Sequence, residues 1–273
     1  MISTYFNGRL GNQIFQYVAI RNLSKRLNCN FWIPKNAEES SYYSDISKKL
    51  SIYLEETCLG NPHHWIGDKI FDIDFGYNDG LIDSIVGEVD LIDINRDNLL
   101  LCGFYQSDIY YKSREDVKKW LKIKDSLIES SNNIIKKYPI DEYCYIHFRG
   151  GDYKEIEKYF LPKTYYIDCI EHMLKININM KFVVITDDPE EASIFFSEYD
   201  ILKNSVEIDF FLLLNSNYTI IPNSSFSWWA CWLNDYKILT IAPDKWFNYN
   251  DGSSFSPKDI KTDRFKYLEK KYK

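Results

Sequence analysis

Four short segments carry the residue types best suited to chemistry, and each falls where a strand is expected to end. GRLGNQIFQY (8–17) places Gly8 and Gly11 around a tight turn and then opens a helix, whose first N–H groups can face an anion. Arg9 and Asn12 add side-chain donors there, although the spacing is neither GxGxxG nor GxxxxGK[ST]. Taken alone, a structural turn with an exposed Arg9 is the simpler account. In HFRGGDY (147–153), His147 and Arg149 are two apart on a strand and so share a face. Arg149 can grip diphosphate oxygens in a fork with His147 beside it, while Gly150 and Gly151 let the backbone pass close to a ligand. The plainer alternatives are a satisfied, half-buried histidine and an Asp152 that caps or turns the chain.

In ITDDPEEA (185–192), Asp187 or Asp188 can accept from the N1–H and exocyclic amine of a guanine together. N-capping by Asp188 ahead of Pro189 is the structural alternative, and the two roles can coexist. Asn223, Ser224 and Ser225 in IIPNSSFSWWACWL (220–233) sit where a strand meets a helix N-terminus, suited to phosphate and ribose hydroxyls. Trp228 and Trp229 read as core.

The elements needed to position these residues alternate in the manner of α/β layers around parallel sheets. A strand at 2–6 and a long helix through NQIFQYVAIRNLSKRL lead to a strand at 31–34. Residues 35–98 show scattered Pro, Gly, Asp and Asn with no clear periodicity. A buried strand at 99–106 precedes helices expected at 107–122 and 124–137. The second half alternates more cleanly: strands at 143–149, 181–187, 218–222 and 237–243, and helices at 163–176, 189–197, 207–215 and 225–234. Pro139 disfavours helix continuation, so a boundary is expected at Tyr138-Pro139. This divides the chain into two Rossmann-like domains, 1–138 and 139–273. Ligands are expected at the strand C-termini, in a cleft between the halves. The lysine-rich end, 258–273, reads as a solvated terminal helix able to pack back on the first domain.

Composition narrows the function classes. The 273 residues are 45% hydrophobic and 17% aromatic, ample for a core and with rings to spare for planar or sugar-like ligands. A net charge of −7 argues against a general nucleic-acid binder. The six cysteines (Cys29, Cys58, Cys102, Cys144, Cys169, Cys231) stand singly, which argues against zinc and dithiol chemistry and suits a reducing cytosol. No secretory signal is apparent at MISTYFNGRLGNQ, and no run approaches the roughly 20 apolar residues of a membrane span.

Taken together, GRLGNQIFQY, GFYQ (103–106), HFRGGDY, the strand-end TDDP, and NSSFSWWACWL followed by APDKWF (242–247) resemble bacterial α-1,2-fucosyltransferases of glycosyltransferase family 11. The likeness runs in order from near residue 5 to near 247. GRLGNQ and the HxR motif are more distantly similar to protein O-fucosyltransferases and α-1,6-fucosyltransferases. The resemblance implies an α/β GT-B fold, GDP-fucose as donor substrate, inversion at the anomeric carbon, no metal, and a galactoside acceptor in surface-glycan (O-antigen or capsule) synthesis. It implies a cytoplasmic enzyme, with the inner membrane face as a peripheral location where the acceptor is lipid-linked.

By matching position, Arg9, Gly11, Asn12, His147 and Arg149 would hold the diphosphate. Asp187 or Asp188 would read guanine, while Asn223, Ser224, Ser225 and Phe226 would line phosphate and ribose. The family pattern HxRRGD is broken at its second arginine, which is Gly150 here. Asp152, and after it Glu157 at the spacing of the base in the α-1,6 relatives, are the candidate bases. Tyr105 and Gln106 are candidates for an acceptor wall, with core packing as the alternative for Tyr105. Competing readings are a transferase for another GDP-6-deoxyhexose such as colitose, a metal-dependent transferase using Asp72-Ile73-Asp74 as a D-x-D motif, and a carbohydrate-binding protein without activity.

Overall fold

Strand β1 (Ile2–Thr4) is buried on both faces, as a central strand of a parallel sheet must be. The computed structural model describes residues 1–35, 39, 42–43, 45, 66, 70–87, 89–111, 113–248, 254–257 and 259–269. Two units divide between Lys124 and Asp125.

In the first unit β1 is followed by helix α1 (Leu10–Leu27), which ends at Asn28 in the left-handed conformation with Lys25 and Arg26 in its last turn. Strands β2 (Phe31–Trp32), β3 (Phe71–Asp72), β4 (Ser84–Val86) and β5 (Leu99–Leu101) follow. The sheet order is β2-β1-β5-β4, all parallel. Residues 75–77 add an antiparallel edge to β2, through Ile33 N–H to Phe75 O at 3.0 Å and Tyr77 N–H to Phe31 O at 2.9 Å.

The run expected as one helix at 107–122 is broken. It forms a 3-10 turn at Asp108–Tyr110, helix α2 (Arg114–Trp120) and strand β6 (Lys122–Ile123), which pairs antiparallel with β3. Two serine caps explain the break: Ser107 Oγ accepts from Ile109 N–H and Ser113 Oγ from Asp116 N–H, both at 3.2 Å, so the chain restarts its helix at the second cap.

The second unit begins with α3 (Ser126–Lys137), then β7 (Tyr143–Phe148), α4 (Lys163–Ile176), β8 (Lys181–Thr186), α5 (Pro189–Phe195), β9 (Asp200–Leu202) and α6 (Val206–Asn215). It continues with β10 (Tyr218–Ile220), α7 (Ser225–Leu233), β11 (Leu239–Pro243), the antiparallel hairpin β12 (Phe247–Asn248) and β13 (Ser254–Phe255), and β14 (Lys266–Leu268). The main sheet runs β14-β11-β10-β7-β8-β9. The chain therefore winds outward from β7 on one side and then returns to its other side at β10. That is the doubly wound order, with its switch point between β7 and β10. Helix α3 packs on α6, which places it in the second unit although it precedes the boundary expected at Tyr138-Pro139.

The expected terminal helix is instead strand β14, parallel to β11. Phe265 and Leu268 drive this outcome: Phe265 is buried edge-on against Trp228, and Leu268 packs on the main core while the strand covers the open edge of β11. Cys144, Cys169 and Cys231 are buried, Cys29 and Cys102 are half-buried, and Cys58 lies outside the described residues. Among the described residues no helix is long and apolar enough to cross a membrane.

Gly76 makes the added edge possible. Its φ is +74°, and a Cβ there would sit 2.0 Å from the Phe31 carbonyl oxygen. Gly76→Ala is expected to cost about 1–3 kcal/mol, measured as a lower thermal midpoint; an unchanged midpoint would contradict this backbone approach.

Candidate functional site

The C-terminal ends of β7, β8 and β10 bring three of the four chemistry-bearing segments together. Arg149, just past β7, is held by Asp187 through one guanidinium nitrogen and by Asp152 through another. Its Cζ lies 5.3 Å from the Tyr153 ring centroid. The Gly150 N–H donates to Asp187 Oδ1 at 3.1 Å. Asp188 takes the capping role: it accepts from Glu191 N–H at 3.2 Å and pairs with Lys154 Nζ at 2.6 Å. That pairing, together with the cap, holds the Asp188 carboxyl below the usual carboxylate range.

Two buried polar atoms in the same segments, on His147 and Asn223, have no hydrogen-bond partner among the described residues. His147 is 5% exposed, and its Nδ1 is unbonded. Burial pushes its pKa down to about 4, against a smaller upward pull from Asp187, so the imidazole is neutral. Asn223 is fully buried; its amide nitrogen donates to Tyr159 O at 3.0 Å and Trp246 O at 2.5 Å, while Oδ1 is unbonded. The Tyr153 hydroxyl donates to Asn223 O at 3.3 Å, tying the two segments together.

Helix α7 begins beside them. Ser224 is its N-cap but its side chain makes no capping bond, and the first backbone bond of the helix is Trp228 N–H to Ser224 O at 2.9 Å. The preceding N–H groups, at Ser225, Phe226 and Ser227, belong to the turn a helix cannot satisfy itself. Phe226 bridges His147 at 5.6 Å and Phe210 at 5.3 Å between ring centroids.

In the first unit, the segments after β1 and β5 are clasped at that sheet's own switch point. Gln106 Nε2 donates to Asn12 Oδ1 at 2.8 Å, and Gln16 Nε2 to Gly103 O at 2.9 Å. Gly8 has φ +76° and Gly11 is buried. Arg9 is exposed at the N-cap of α1, whose first turn carries no acidic residue.

The sequence profile of glycosyl transferase family 11 matches residues 86–269. The chain is 30% identical to an alpha-1,2-colitosyltransferase of Escherichia coli, covering 92% of this chain and 93% of that one. The chain belongs to glycosyltransferase family 11. It is also 24% identical to the Escherichia coli O-antigen biosynthesis glycosyltransferase WbnK, over 92% of this chain and 96% of that protein. In fold it is similar to POFUT1 solved in complex with GDP, with a TM-score of 0.50, 11% identity and coverage of 88% and 97%. Two Rossmann-like units with parallel sheets, on the pattern of that neighbour, make this a GT-B fold.

At position 150 the backbone passes close to Asp188. A Cβ on Gly150 would lie 2.6 Å from Asp188 Cβ, so an arginine there would have to displace that aspartate. The cation on Asp188 comes from Lys154.

Other expectations are redistributed. Tyr105 is 2% exposed with its hydroxyl 3.4 Å from Gly87 O, so its ring packs in the core and offers no face to a sugar. Gln106 is occupied by Asn12. Asp152 contacts Arg149, whereas Glu157 is exposed on the turns that follow. In the D-x-D pattern, Asp74 is committed to Arg21 at 3.6 Å and to Gly76 N–H at 2.9 Å.

Sequence reading missed Asp209. Its carboxylate is 8% exposed in the first turn of α6, accepts from Asn204 Nδ2 at 2.8 Å, and is pushed up to about 7 by burial, with Asp187 and Glu207 adding to the rise. Only the acid itself, inside the otherwise apolar VEIDFFLLL run, hinted at it. A raised native pKa stabilises the fold below the unfolded value near 3.8, and that contribution is lost as pH climbs through 7. Asp209→Asn is therefore expected to have a thermal midpoint above wild type at pH 8 and close to it at pH 4; a difference independent of pH would contradict a buried, uncharged carboxyl.

Proposed function

We propose that this family-11 enzyme transfers L-fucose from GDP-fucose to a galactoside hydroxyl in α-1,2 linkage, with inversion and without a metal, in bacterial surface-glycan synthesis. The observation that carries the donor half is the pair of buried polar atoms without a partner among the described residues, His147 Nδ1, two residues before Arg149, and Asn223 Oδ1, two before the start of α7. Buried polar groups are normally satisfied, and a nucleotide with sugar hydroxyls and phosphate oxygens supplies the missing donors and acceptors.

In the reaction, the acceptor oxygen bonds to the anomeric carbon from the face opposite the phosphate. The bond to the diphosphate breaks, and GDP departs with the electron pair. Arg149 and the N–H groups at Ser225 and Phe226 are assigned to the charge that develops on the leaving phosphate. Neutral His147 is assigned a hydrogen bond to the nucleotide. Asp187 or Asp188 is assigned to guanine, whose two donors need a carboxylate, rather than Asp209, which burial pushes toward the neutral form. Asp152, fixed on Arg149, takes the acceptor proton directly or orients the guanidinium; Glu157 is the second candidate base. Arg9, Gly11 and Asn12 are retained as diphosphate contacts offered by the first unit.

A colitosyl donor is the second reading, favoured by the relative that transfers colitose. The two sugars differ by one hydroxyl, so both GDP-sugars belong in one assay with β-galactoside acceptors. Faster transfer from GDP-fucose supports the first reading; faster transfer from GDP-colitose replaces it. Arg149→Ala is expected to lower the transfer rate roughly 10²–10³-fold while the chain stays folded, and a near wild-type rate would end this mechanism. Excess EDTA is expected to leave the rate unchanged; loss restored by Mn²⁺ would favour a metal-dependent route. Thermal stabilisation by GDP above that by UDP or ADP checks the base assignment, and equal stabilisation by all three overturns it.

A further inference from the structure

The edge that residues 75–77 add to the first unit's sheet borders an open cavity of about 520 Å³ beside β2. That volume lies within the range of small-molecule sites. Its floor is Trp32, packed edge-to-face with Tyr42 at 5.1 Å between centroids. Its rim is Tyr77, which is 69% exposed, an unusual position for so large a ring. Tyr77 is carried on the 75–77 edge that Gly76 allows to approach Phe31. Side chains fix the loop that follows: Asn78 Oδ1 accepts from Gly80 N–H at 2.9 Å, and Asp79 Oδ1 accepts from Leu81 N–H at 3.1 Å. The platform is thus preformed.

The polar lining excludes one ligand class and suits another. Among the described lining residues Lys35 is the cation and Glu39 and Asp45 are the carboxylates, with Glu39 Oε2 accepting from the Lys35 backbone N–H at 2.8 Å. A nucleoside diphosphate is repelled by that balance. A neutral ligand with many hydroxyls and one apolar face matches it, because carboxylates accept from hydroxyls and a tyrosine ring packs on C–H groups.

We propose that this cavity is a carbohydrate subsite that holds a neutral pyranose of the acceptor glycan other than the sugar that is glycosylated, stacked on Tyr77 and with its hydroxyls bonded to Asp45 and Glu39. The assignment of that sugar to the acceptor rests on the transferase reading above. Tyr105, being buried, leaves the acceptor without the aromatic contact first expected of it, and Tyr77 supplies one.

Two measurements on the full chain test the proposal. In saturation-transfer NMR without donor, a β-galactoside tetrasaccharide is expected to give signal with wild type and Tyr77→Phe, and to lose most of it with Tyr77→Ala and Asp45→Asn. Equal signal from wild type and Tyr77→Ala, or no signal from wild type, overturns the subsite. In the transfer assay, Tyr77→Ala is expected to raise KM for the tetrasaccharide about tenfold with little change in kcat, and to leave KM for methyl β-galactoside and stabilisation by GDP unchanged. An equal rise for both acceptors overturns it as well. Should wild type transfer to no galactoside, the transferase reading fails, and the NMR result alone still decides whether the cavity holds a sugar.

Discussion

The second unit is organised by how closely the ends of β7 and β8 approach one another. A Cβ on Gly151 would lie 2.5 Å from Asp187 Oδ2, and one on Gly150 would lie 2.6 Å from Asp188 Cβ. Two glycines are the condition for that approach. It brings Asp187 onto both the Gly150 N–H and the Arg149 guanidinium, and it brings Lys154 onto Asp188. Arg149 is thereby oriented at the switch point of a doubly wound sheet, where ligands bind in such folds.

Burial then sets the chemistry of the groups around that arginine. His147 is kept neutral and Asp209 is pushed toward neutrality, the first by desolvation of a cation and the second by desolvation of an anion. Beside His147 that burial comes in part from Phe226, whose ring lies 5.6 Å from the imidazole and 5.3 Å from Phe210. Phe148 alone touches the rings of Phe160, Tyr166, Phe195 and Phe196, and Trp228 stacks parallel to Trp232 at 5.9 Å. Most of the aromatic excess is therefore core, which is why an outlying ring such as Tyr77 is informative.

The strand-end motifs were legible in the sequence because their residue types serve position as well as chemistry: glycines where backbones meet, a proline after an N-cap, serines before a helix. The helix at 163–176 was legible to the residue, and β7 and β8 nearly so, because each is flanked by clear breaks. Three features were not legible. Strand β14 depends on an open edge of β11 that local propensity does not report. The burial of Tyr105 depends on a positive φ of 50° at that residue, which turns it inward after β5. Asp209 looked like any helical acid until α6 was packed against α7.

The charge balance at the site shapes how an anionic donor would enter it. Arg149 and Lys154 are matched against Asp152, Asp187 and Asp188, three carboxylates to two cations. Added to that cluster as it stands, a diphosphate would meet net negative charge. On the proposed reading it must therefore exchange with a carboxylate on Arg149. Exchange of one anion for another on the same guanidinium contributes little by itself, because the pair that is lost resembles the pair that is gained. The net attraction must come from groups that are unsatisfied beforehand: the N–H groups opening α7, His147 Nδ1 and Asn223 Oδ1. Selection for a nucleotide sugar over a simple phosphate follows, since inorganic phosphate can displace Asp187 or Asp152 but cannot also satisfy a buried imidazole and a buried amide oxygen.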